Sequence, residues 1–382
     1  MCINSMIKIN YITNLSVQDS SGGWSGVNYH LYKQFFKKFE INLIEKVNPP
    51  YHKGEKIISK FLRVLGLRGA FPAFTNSRLN KIKGFTENQI HQDAVFNFYH
   101  GVTPWIGVQS KLPYVLYTDA SFATYIRIYH DENKFAKWQL HSIFIKEKDF
   151  LCKANLVFFT SQWALDDTKK CYGISGHNFH VASMGGGYEK KSDVKVQINN
   201  PYFLFVGFDF AGKGGDMVCI AFDQLSKKYP DFRMKLVGQR PPEKYLHNKS
   251  ITYCGFFNKA IPTECKALRD LFSYAYCFIL PTVKDITPLV LVDAGSVGCP
   301  AISVNNFGIP EIVIHEKTGL LIDKNELTVD NLLAAMELMC SNQNLRNKFG
   351  ENAEKYIKDN FSWEKTGEII YNKMMKIFEN NF

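Results

Sequence analysis

The sequence predicts an α/β fold made of two domains. Short apolar runs alternate with longer amphipathic stretches along the whole chain, a pattern typical of parallel sheets covered by helices. The chain has 382 residues, enough for two domains, because one domain usually takes about 100 to 200 residues. A composition of 46% hydrophobic and 21% charged residues is that of a globular protein rather than of a disordered chain.

The predicted strands form two groups, separated by three consecutive glycines and a polar stretch that ends at Pro201. The first group is Ile7 to Ile12, Ile41 to Ile44, Ala94 to Phe98, Tyr114 to Tyr117, Leu156 to Thr160 and Phe179 to Ala182. The second is Tyr202 to Gly207, Arg233 to Val237, Ile251 to Cys254, Cys277 to Leu280 and Ala301 to Val304. Helices are expected after Gly26, Asn133 and Gln162 and over 363–378. We therefore expect an N-terminal domain at 1–190, a C-terminal domain at 191–362, and a terminal helix in 363–382 that packs back on the N-terminal domain.

The nine cysteines are scattered and never spaced as C-x-x-C, which predicts reduced, mostly buried thiols and neither a disulfide framework nor a zinc site. The first residues lack the apolar run of a signal peptide, and nowhere do about 18 apolar residues follow one another. These features predict a cytoplasmic protein without a membrane-spanning helix.

Basic residues crowd the segment from Lys46 to Lys83, in a chain whose net charge is +10. Within it, apolar residues recur at helical spacing opposite lysine and arginine, namely Ile57, Ile58, Phe61, Leu62 and Leu65. One interpretation is an interfacial helix that lies on the anionic inner face of a membrane. The other is a surface helix that packs its apolar stripe on its own domain. Nucleic acid is not expected, since no stacking motif or helix-turn-helix pattern accompanies the charge.

The segment from Phe203 to Phe222 reads as a strand, a glycine-rich turn and a helix. Backbone N–H groups at such a turn and the helix dipole favour an anion, so we expect a phosphate site there. Gly207, Gly212 and Lys213 approach the P-loop spacing, but Gly214 stands where that motif needs Ser or Thr, and the dinucleotide fingerprint is absent. The glycines could also serve only to close a tight turn.

A second segment follows the predicted strand Cys277 to Leu280. Asp285 lies in the next loop, and Asp293 lies eight positions later, about two turns inside the predicted helix Val290 to Gly298. Two carboxylates at this spacing are able to face one pocket and hold neighbouring hydroxyls, such as those of a sugar and a ribose. A pair like this on a surface helix is otherwise an ordinary solvated feature.

In order and spacing, these segments resemble glycosyltransferase family 4, the glycosyl transferases group 1. The family's G-R-x-x-x-x-K-G turn appears as Gly207 to Gly214 and its E-x(7)-E pair as Asp285 with Asp293. Its G-x-P-V and G-x-P-E runs appear as Gly298 to Ala301 and Gly308 to Glu311. The resemblance implies a GT-B fold, with two Rossmann-like domains facing a central cleft. It implies retaining transfer of a hexose from a UDP- or GDP-sugar to a glycan or lipid-linked acceptor in polysaccharide or glycoconjugate biosynthesis, with no cofactor and no metal held by the protein.

The resemblance also implies roles for individual residues. Lys213 would neutralise the donor phosphates, Asp285 would hold the transferred hexose, and Asp293 would bind the ribose. The diphosphate would meet the amides near Thr287, Pro288 and Leu289, the base would meet Phe256 and Phe257, and the reacting sugar would lie beside Gly22 and Gly23. Asp119 would orient the acceptor and, with Lys213 and Asp285, complete the catalytic set.

His100 follows a predicted strand and is expected on the acceptor side, although a histidine at a strand end can also be purely structural.

Two departures from the family pattern keep alternatives open. Phe208 stands at the position of the phosphate-binding arginine, and both acidic residues are aspartates rather than glutamates. The rival functions are a sugar-nucleotide epimerase with the GT-B fold and a catalytically weak accessory subunit that binds nucleotide sugars.

Overall fold

A computed structural model describes residues 6–109, 111–188 and 200–381. The predicted polar linker at 189–199 lies outside the described residues. The chain divides into two units, one of Met1–Ser20, Trp24–Ser183 and Thr366–Phe382, the other of Ser21–Gly23 and Met184–Lys365. Each unit contains a six-stranded sheet of parallel strands with helices, so the predicted α/β class is confirmed.

The first unit, which we call the N-unit, has the strand order β2-β1-β3-β4-β5-β6. Its strands are β1 Lys8–Ile12, β2 Glu40–Ile44, β3 Phe96–His100, β4 Tyr114–Thr118, β5 Leu156–Phe159 and β6 Phe179–Val181. Its helices are α1 Gly23–Phe36, α2 Lys53–Val64, α3 Asn76–Glu87, α4 Phe122–Tyr129, α5 Lys137–Lys153 and α6 Gln162–Tyr172. Strands β3, β4 and β5 are buried along their whole length, as expected for the centre of a parallel sheet covered on both faces.

The second unit, the C-unit, has the strand order β12-β11-β10-β7-β8-β9. Its strands are β7 Tyr202–Gly207, β8 Arg233–Gly238, β9 Ile251–Tyr253, β10 Cys277–Leu280, β11 Ala301–Asn305 and β12 Gly319–Asp323. Its helices are α7 Gly215–Lys228, α8 Glu243–Leu246, α9 Pro262–Ser273, α10 Leu289–Ser296, α11 Val329–Ser341 and α12 Gln343–Asn360. Helix α13, Trp363–Asn381, follows, and from Thr366 onward it belongs to the N-unit, in which its Tyr371 ring packs 5.3 Å from that of Phe39.

Both sheets contain a point where the strand order reverses. It lies between β1 and β3 in the N-unit and between β7 and β10 in the C-unit. Loops that leave the carboxyl ends of parallel strands at such a point diverge and leave a crevice, where open α/β sheets bind their ligands. The loops after β7 and β10 carry Lys213 and Asp285.

Four details correct the sequence predictions. Strand β12 was not predicted, and β3 extends to His100, which is therefore the last residue of a strand rather than a loop residue. Helix α10 begins at Leu289, so Asp293 lies one turn into the helix instead of two. Among the eight cysteines that the structure describes, all free, only Cys219, Cys277 and Cys299 are buried, so the prediction of mostly buried thiols is wrong.

Helix α2 presents its apolar side to solvent. Exposed fractions are 68% for Ile57, 61% for Phe61 and 77% for Val64. The buried residue of this helix is Ser59, whose hydroxyl donates to the carbonyl of Ala70 at 2.7 Å. The helix therefore faces its own unit with a small polar residue, and the interpretation of an apolar stripe packed on its own domain is wrong.

Across the part of the chain that the structure describes, no helix combines the length and apolar character needed to span a bilayer.

Candidate functional site

The backbone amides of the glycine-rich turn after β7 form hydrogen bonds within the turn itself. The N–H of Gly212 donates to a carboxylate oxygen of Asp209 at 2.9 Å. The N–H groups of Lys213, Gly214 and Gly215 donate to carbonyls within the turn. The expectation that these amides stand free for a phosphate is not met in this structure, because an aspartate and three carbonyls already accept from them.

The same turn brings Lys213 to the loop after β10. Gly214 has a φ of +83°, and a side chain there would collide with the carbonyl of Pro281, so the two loops touch at this glycine. The Nζ of Lys213 contacts a carboxylate oxygen of Asp285. The Asp285 side chain is 18% exposed, and burial raises its pKa while the ammonium of Lys213 acts against that rise. Two residues that are 72 positions apart thus form an ion pair where the strand order reverses.

A second ion pair lies one turn along α10. Asp293 is 3% exposed, and a carboxylate oxygen of this residue contacts the Nζ of Lys259 from the loop after β9. The same ammonium lies 5.2 Å from the ring centroid of Tyr188. An ionised carboxylate this deep requires a partner, since a buried charge without one costs several kcal/mol, roughly 3 to 5 in measured cases. Lys259 supplies that partner.

The start of α10 offers backbone donors beside these pairs. Helix geometry leaves the N–H groups of the first turn without partners inside the helix, and here the N–H of Leu291 donates back to Pro288 at 3.0 Å. Leu289 opens the helix and Thr287 and Pro288 precede it, between the two aspartates in sequence. A helix N-terminus attracts negative charge, so the two lysines and this helix end together favour an anion.

Two exposed aromatic rings lie at the same end of the C-unit sheet. Phe208 follows β7 and is 65% exposed, and Phe256 follows β9 and is 53% exposed. Their ring centroids are 5.0 Å apart at an interplanar angle of 58°. Phe257, next in sequence, is partly buried against the core. Large exposed rings in contact form an apolar surface suited to a flat ligand group such as a base.

The N-unit has a different arrangement where its strand order reverses. His100, at the end of β3, is completely buried, and neither of its ring nitrogens has a hydrogen-bond partner among the described residues. Its ring stacks on Trp24 of α1, with centroids 4.4 Å apart and an interplanar angle of 29°. Burial lowers the pKa of His100 to about 3, so the imidazole is neutral at pH 7. The buried hydroxyl of Tyr117, at 6.4 Å between ring centroids, also has no described partner.

The other predicted residues of this part of the chain lie close by in sequence. Gly22 and Gly23 have φ angles of +118° and +55°, and Gly23 opens α1 directly before Trp24. Asp119 follows β4, is half-buried, and its charge adds to burial in raising the pKa of Tyr117. Neutral groups and aromatic faces therefore dominate here, apart from Asp119.

The structure brings together the predicted donor residues that follow β7 and β10, namely Gly207, Gly212, Lys213, Asp285, Thr287, Pro288 and Leu289, with Asp293 one turn into α10. Lys259 and Trp24 were missed. No motif marks the lysine in NKAIP, and Trp24 was passed over beside the more conspicuous glycines. Within the described ranges, no three His, Cys, Asp or Glu side chains come together as a metal site.

Part of the chain matches a known protein family. Residues 189–356 match the model of the family described as glycosyl transferases group 1. An uncharacterised glycosyltransferase of Haemophilus influenzae is 29% identical over 153 residues, which are 39% of this chain and 42% of the relative. The chain thus spans less than half of the length of that curated relative.

Solved structures match over nearly the whole chain. Sucrose-phosphate synthase from Thermosynechococcus elongatus superposes with a TM-score of 0.73 at 16% identity, covering 98% of this chain and 100% of the other. HepE from Anabaena, solved in complex with UDP, gives a TM-score of 0.65 at 14% identity and covers 97% and 100%. Residues 189–356 are therefore similar to the glycosyl transferases group 1 family, and the fold of the chain is GT-B.

Proposed function

We propose that this protein is a retaining glycosyltransferase that moves a hexose from a UDP- or GDP-sugar to a glycan or lipid-linked acceptor in polysaccharide or glycoconjugate assembly. The observation that carries the proposal is the pair of aspartates, Asp293 buried and Asp285 partly buried, each held by a lysine, on either side of the α10 N-terminus. Cations and helix amides suit a diphosphate, and carboxylates suit the hydroxyls of the two sugars that flank it. The UDP complex of HepE, a protein of the same fold, supports this choice of ligand.

In this proposal the donor spans the C-unit crevice. Its diphosphate lies against Lys213 and the helix start at Thr287, Pro288 and Leu289. Asp293 accepts from the ribose hydroxyls, and Asp285 accepts from the hexose. Phe208 and Phe256 contact the base, because they are the exposed rings at this end of the sheet.

The reaction breaks the bond between the hexose anomeric carbon and the diphosphate oxygen. A new bond forms from an acceptor hydroxyl oxygen to the same carbon on the same face, and the hydroxyl proton passes to the departing phosphate. Negative charge grows on the diphosphate as the bond breaks, so Lys213 and the α10 dipole stabilise the transition state more than the ground state. Asp285 positions the hexose. The reaction requires no cofactor, and we expect no dependence on a divalent metal.

The acceptor side belongs to the N-unit in this proposal. Asp119 orients the acceptor and His100 lines the acceptor side, whereas the reacting sugar lies beside Gly22 and Gly23, which are part of the C-unit. Neutral imidazole and phenol groups without partners suit an uncharged sugar hydroxyl better than a carboxylate or phosphate. Trp24 presents an indole next to them, and aromatic faces commonly pack on sugar rings.

Nucleotide release tests the proposed reaction. The protein is incubated with UDP- and GDP-hexoses, with and without a set of glycans and lipid-linked saccharides, and free UDP or GDP is measured. We expect acceptor-dependent release that EDTA leaves unchanged, and a product whose anomeric configuration by NMR equals that of the donor. Conversion of the donor sugar without an acceptor would identify an epimerase instead. Donor binding without any turnover would identify an accessory subunit.

We also propose that the basic segment 46–83 places the protein on an anionic membrane surface, where a lipid-linked acceptor resides. Helix α2 exposes Ile57, Ile58, Phe61 and Val64, and Lys53, Lys56 and Lys60 are exposed on the same helix. Trp138 is 69% exposed and lies beside α2, because it lines the same groove of about 260 Å³ as Glu55 of that helix. Apolar side chains flanked by lysines and a tryptophan are typical of a helix at a bilayer interface.

Liposome co-sedimentation tests this membrane contact. We expect binding to vesicles with anionic phospholipid that weakens at high salt, and a loss of roughly tenfold or more in the double variant Ile57→Ser/Phe61→Ser, since each buried apolar side chain contributes about 1.5 to 3 kcal/mol. Leu338→Ser, which changes a 43% exposed apolar residue of the C-unit, is the matched control and should bind as the native protein does. Absence of binding at both low and high salt would reject the membrane proposal.

A further inference from the structure

The residues predicted for the donor site do not alone supply enough positive charge to neutralise a diphosphate. The turn after β7 carries Lys213 but also Asp209, whose carboxylate already accepts from the N–H of Gly212. Phe208 adds no charge. This turn is therefore neutral in sum, whereas a nucleoside diphosphate brings at least two negative charges.

Lys259 is the second cation inside this site. Its Nζ contacts the carboxylate of Asp293, and its side chain is 25% exposed, so the ammonium lies between the buried carboxylate and solvent. The ring of Tyr188 lies 5.2 Å from the same ammonium and supports it from another side. The buried hydroxyl of Tyr188 has no hydrogen-bond partner within the described part of the chain.

The pairing with Asp293 has a consequence for ligand binding. A carboxylate oxygen that accepts from a lysine is less available to a ribose hydroxyl, so the donor must either share Asp293 with Lys259 or draw the lysine away. A lysine has a flexible four-carbon stem and a compact charge that can turn to a new partner within a few ångströms. A diphosphate next to Asp293 offers such a partner.

We infer that Lys259 is a diphosphate-binding residue that holds Asp293 in the ligand-free protein and turns to the donor phosphates when the nucleotide binds. The exchange frees Asp293 for the ribose and supplies the positive charge that the β7 turn lacks. This inference rests on the proposed function, because it assumes a nucleotide diphosphate in the C-unit crevice. It assigns Lys259 a direct contact with the ligand rather than only a role in positioning Asp293.

Isothermal titration with a nucleoside diphosphate and its nucleoside separates these roles. UDP with uridine, and GDP with guanosine, are titrated into the native protein, Lys259→Gln and Lys259→Met at fixed ionic strength. The Gln side chain can still donate a hydrogen bond to Asp293 but has no charge. We expect both variants to bind the diphosphate about 10 to 100 times more weakly, as for the loss of a charged hydrogen bond. Nucleoside binding by Lys259→Gln should change by less than about threefold.

Lys266→Met removes an exposed lysine of α9 and is the charge-matched control, expected to bind as the native protein does. Equal weakening of diphosphate and nucleoside in Lys259→Gln would show that the lysine only positions Asp293 and would overturn the inference. Unchanged diphosphate affinity in both variants would overturn it as well. If the native protein binds neither diphosphate, the proposed donor site itself fails, a result distinct from either of these. If Lys259→Met does not fold, the comparison of diphosphate and nucleoside binding by Lys259→Gln decides between the two roles.

Discussion

The N-unit and the C-unit share one architecture but place opposite chemistry where their strand orders reverse. In the C-unit, two lysine–aspartate pairs and a helix N-terminus occupy the crevice. In the N-unit, a neutral histidine stacks on a tryptophan beside a tyrosine, and the ring nitrogens of His100 have no partner among the residues described. In our proposal the same backbone geometry therefore binds a charged ligand in one unit and an uncharged one in the other. Side chains at the carboxyl ends of the strands decide the difference.

The largest effect is expected from removing a C-unit charge. In our proposal Lys213 stabilises the departing diphosphate, so we expect Lys213→Ala to slow transfer by about 100- to 1,000-fold, the range found when one electrostatic donor to a transition state is lost. The rate of nucleotide release at a saturating concentration of donor measures this loss of activity. Lys266→Ala should keep native activity, and a Lys213→Ala protein with near-native turnover would remove this lysine from the mechanism.

A smaller effect, on the free energy of unfolding at acidic pH, is expected from the buried His100 of the N-unit. The folded protein holds His100 at a pKa of about 3, against an ordinary value of 6.5. Between these two values the unfolded chain binds a proton that the folded protein does not, so the free energy of unfolding falls as the pH drops through this window. From pH 6.5 to pH 5 the loss should reach about 1.6 kcal/mol, because the slope rises from about half of 1.4 kcal/mol per pH unit at pH 6.5 to nearly the full value at pH 5.

Urea unfolding at several pH values measures this loss. His100→Phe keeps an aromatic ring against Trp24 without a titrating group, so the acid-dependent part should shrink by about that amount. His141→Phe changes an exposed histidine of α5 and should retain the native pH profile. An identical pH dependence in His100→Phe and the native protein would mean that His100 takes up a proton as readily as in the unfolded chain.

The smallest effect concerns the exposed rings of the C-unit. Phe208→Ala should weaken nucleoside binding by roughly 3- to 10-fold, since an aromatic pair contributes about 0.5 to 1.5 kcal/mol beyond area burial. Titration with uridine or guanosine measures the change without the diphosphate. An affinity that stays the same, or rises, would place the base away from Phe208 and Phe256.

The fold could be predicted largely from the sequence because buried parallel strands leave apolar runs that a reader can see. Strand β12, GLLID, was missed although it is as long as β11; it lies at the sheet edge, and its burial decreases from Gly319 to Asp323. The orientation of α2 could not be predicted, because an amphipathic pattern gives the apolar face but not what covers it. Only the position of Ser59 against Ala70 shows which side meets the protein.

The candidate site, like the fold, could be predicted only in part from the sequence. Lys213 and Asp285 stand in recognisable motifs, so their positions followed from spacing. The contact of Lys259 with Asp293 joins residues 34 positions apart through the loop after β9, and no local pattern records it. In the glycine turn, the amide of Gly212 is occupied through the rotamer of Asp209, and three further amides donate to backbone carbonyls of the turn; the sequence determines neither. Motifs thus identified the elements of the site, while its charge pairing required the tertiary structure.

The central claim is that the C-unit crevice binds a nucleotide diphosphate through Asp293. Thermal unfolding with and without UDP and GDP, on the native protein and on Asp293→Ala, tests it most directly, because a ligand that binds only the folded state must stabilise it, by about 2.7 kcal/mol at 100 times its Kd. We expect one of the two nucleotides to raise the melting temperature of the native protein and to raise that of Asp293→Ala clearly less. No rise with either nucleotide, or an equal rise in both proteins, would contradict the account.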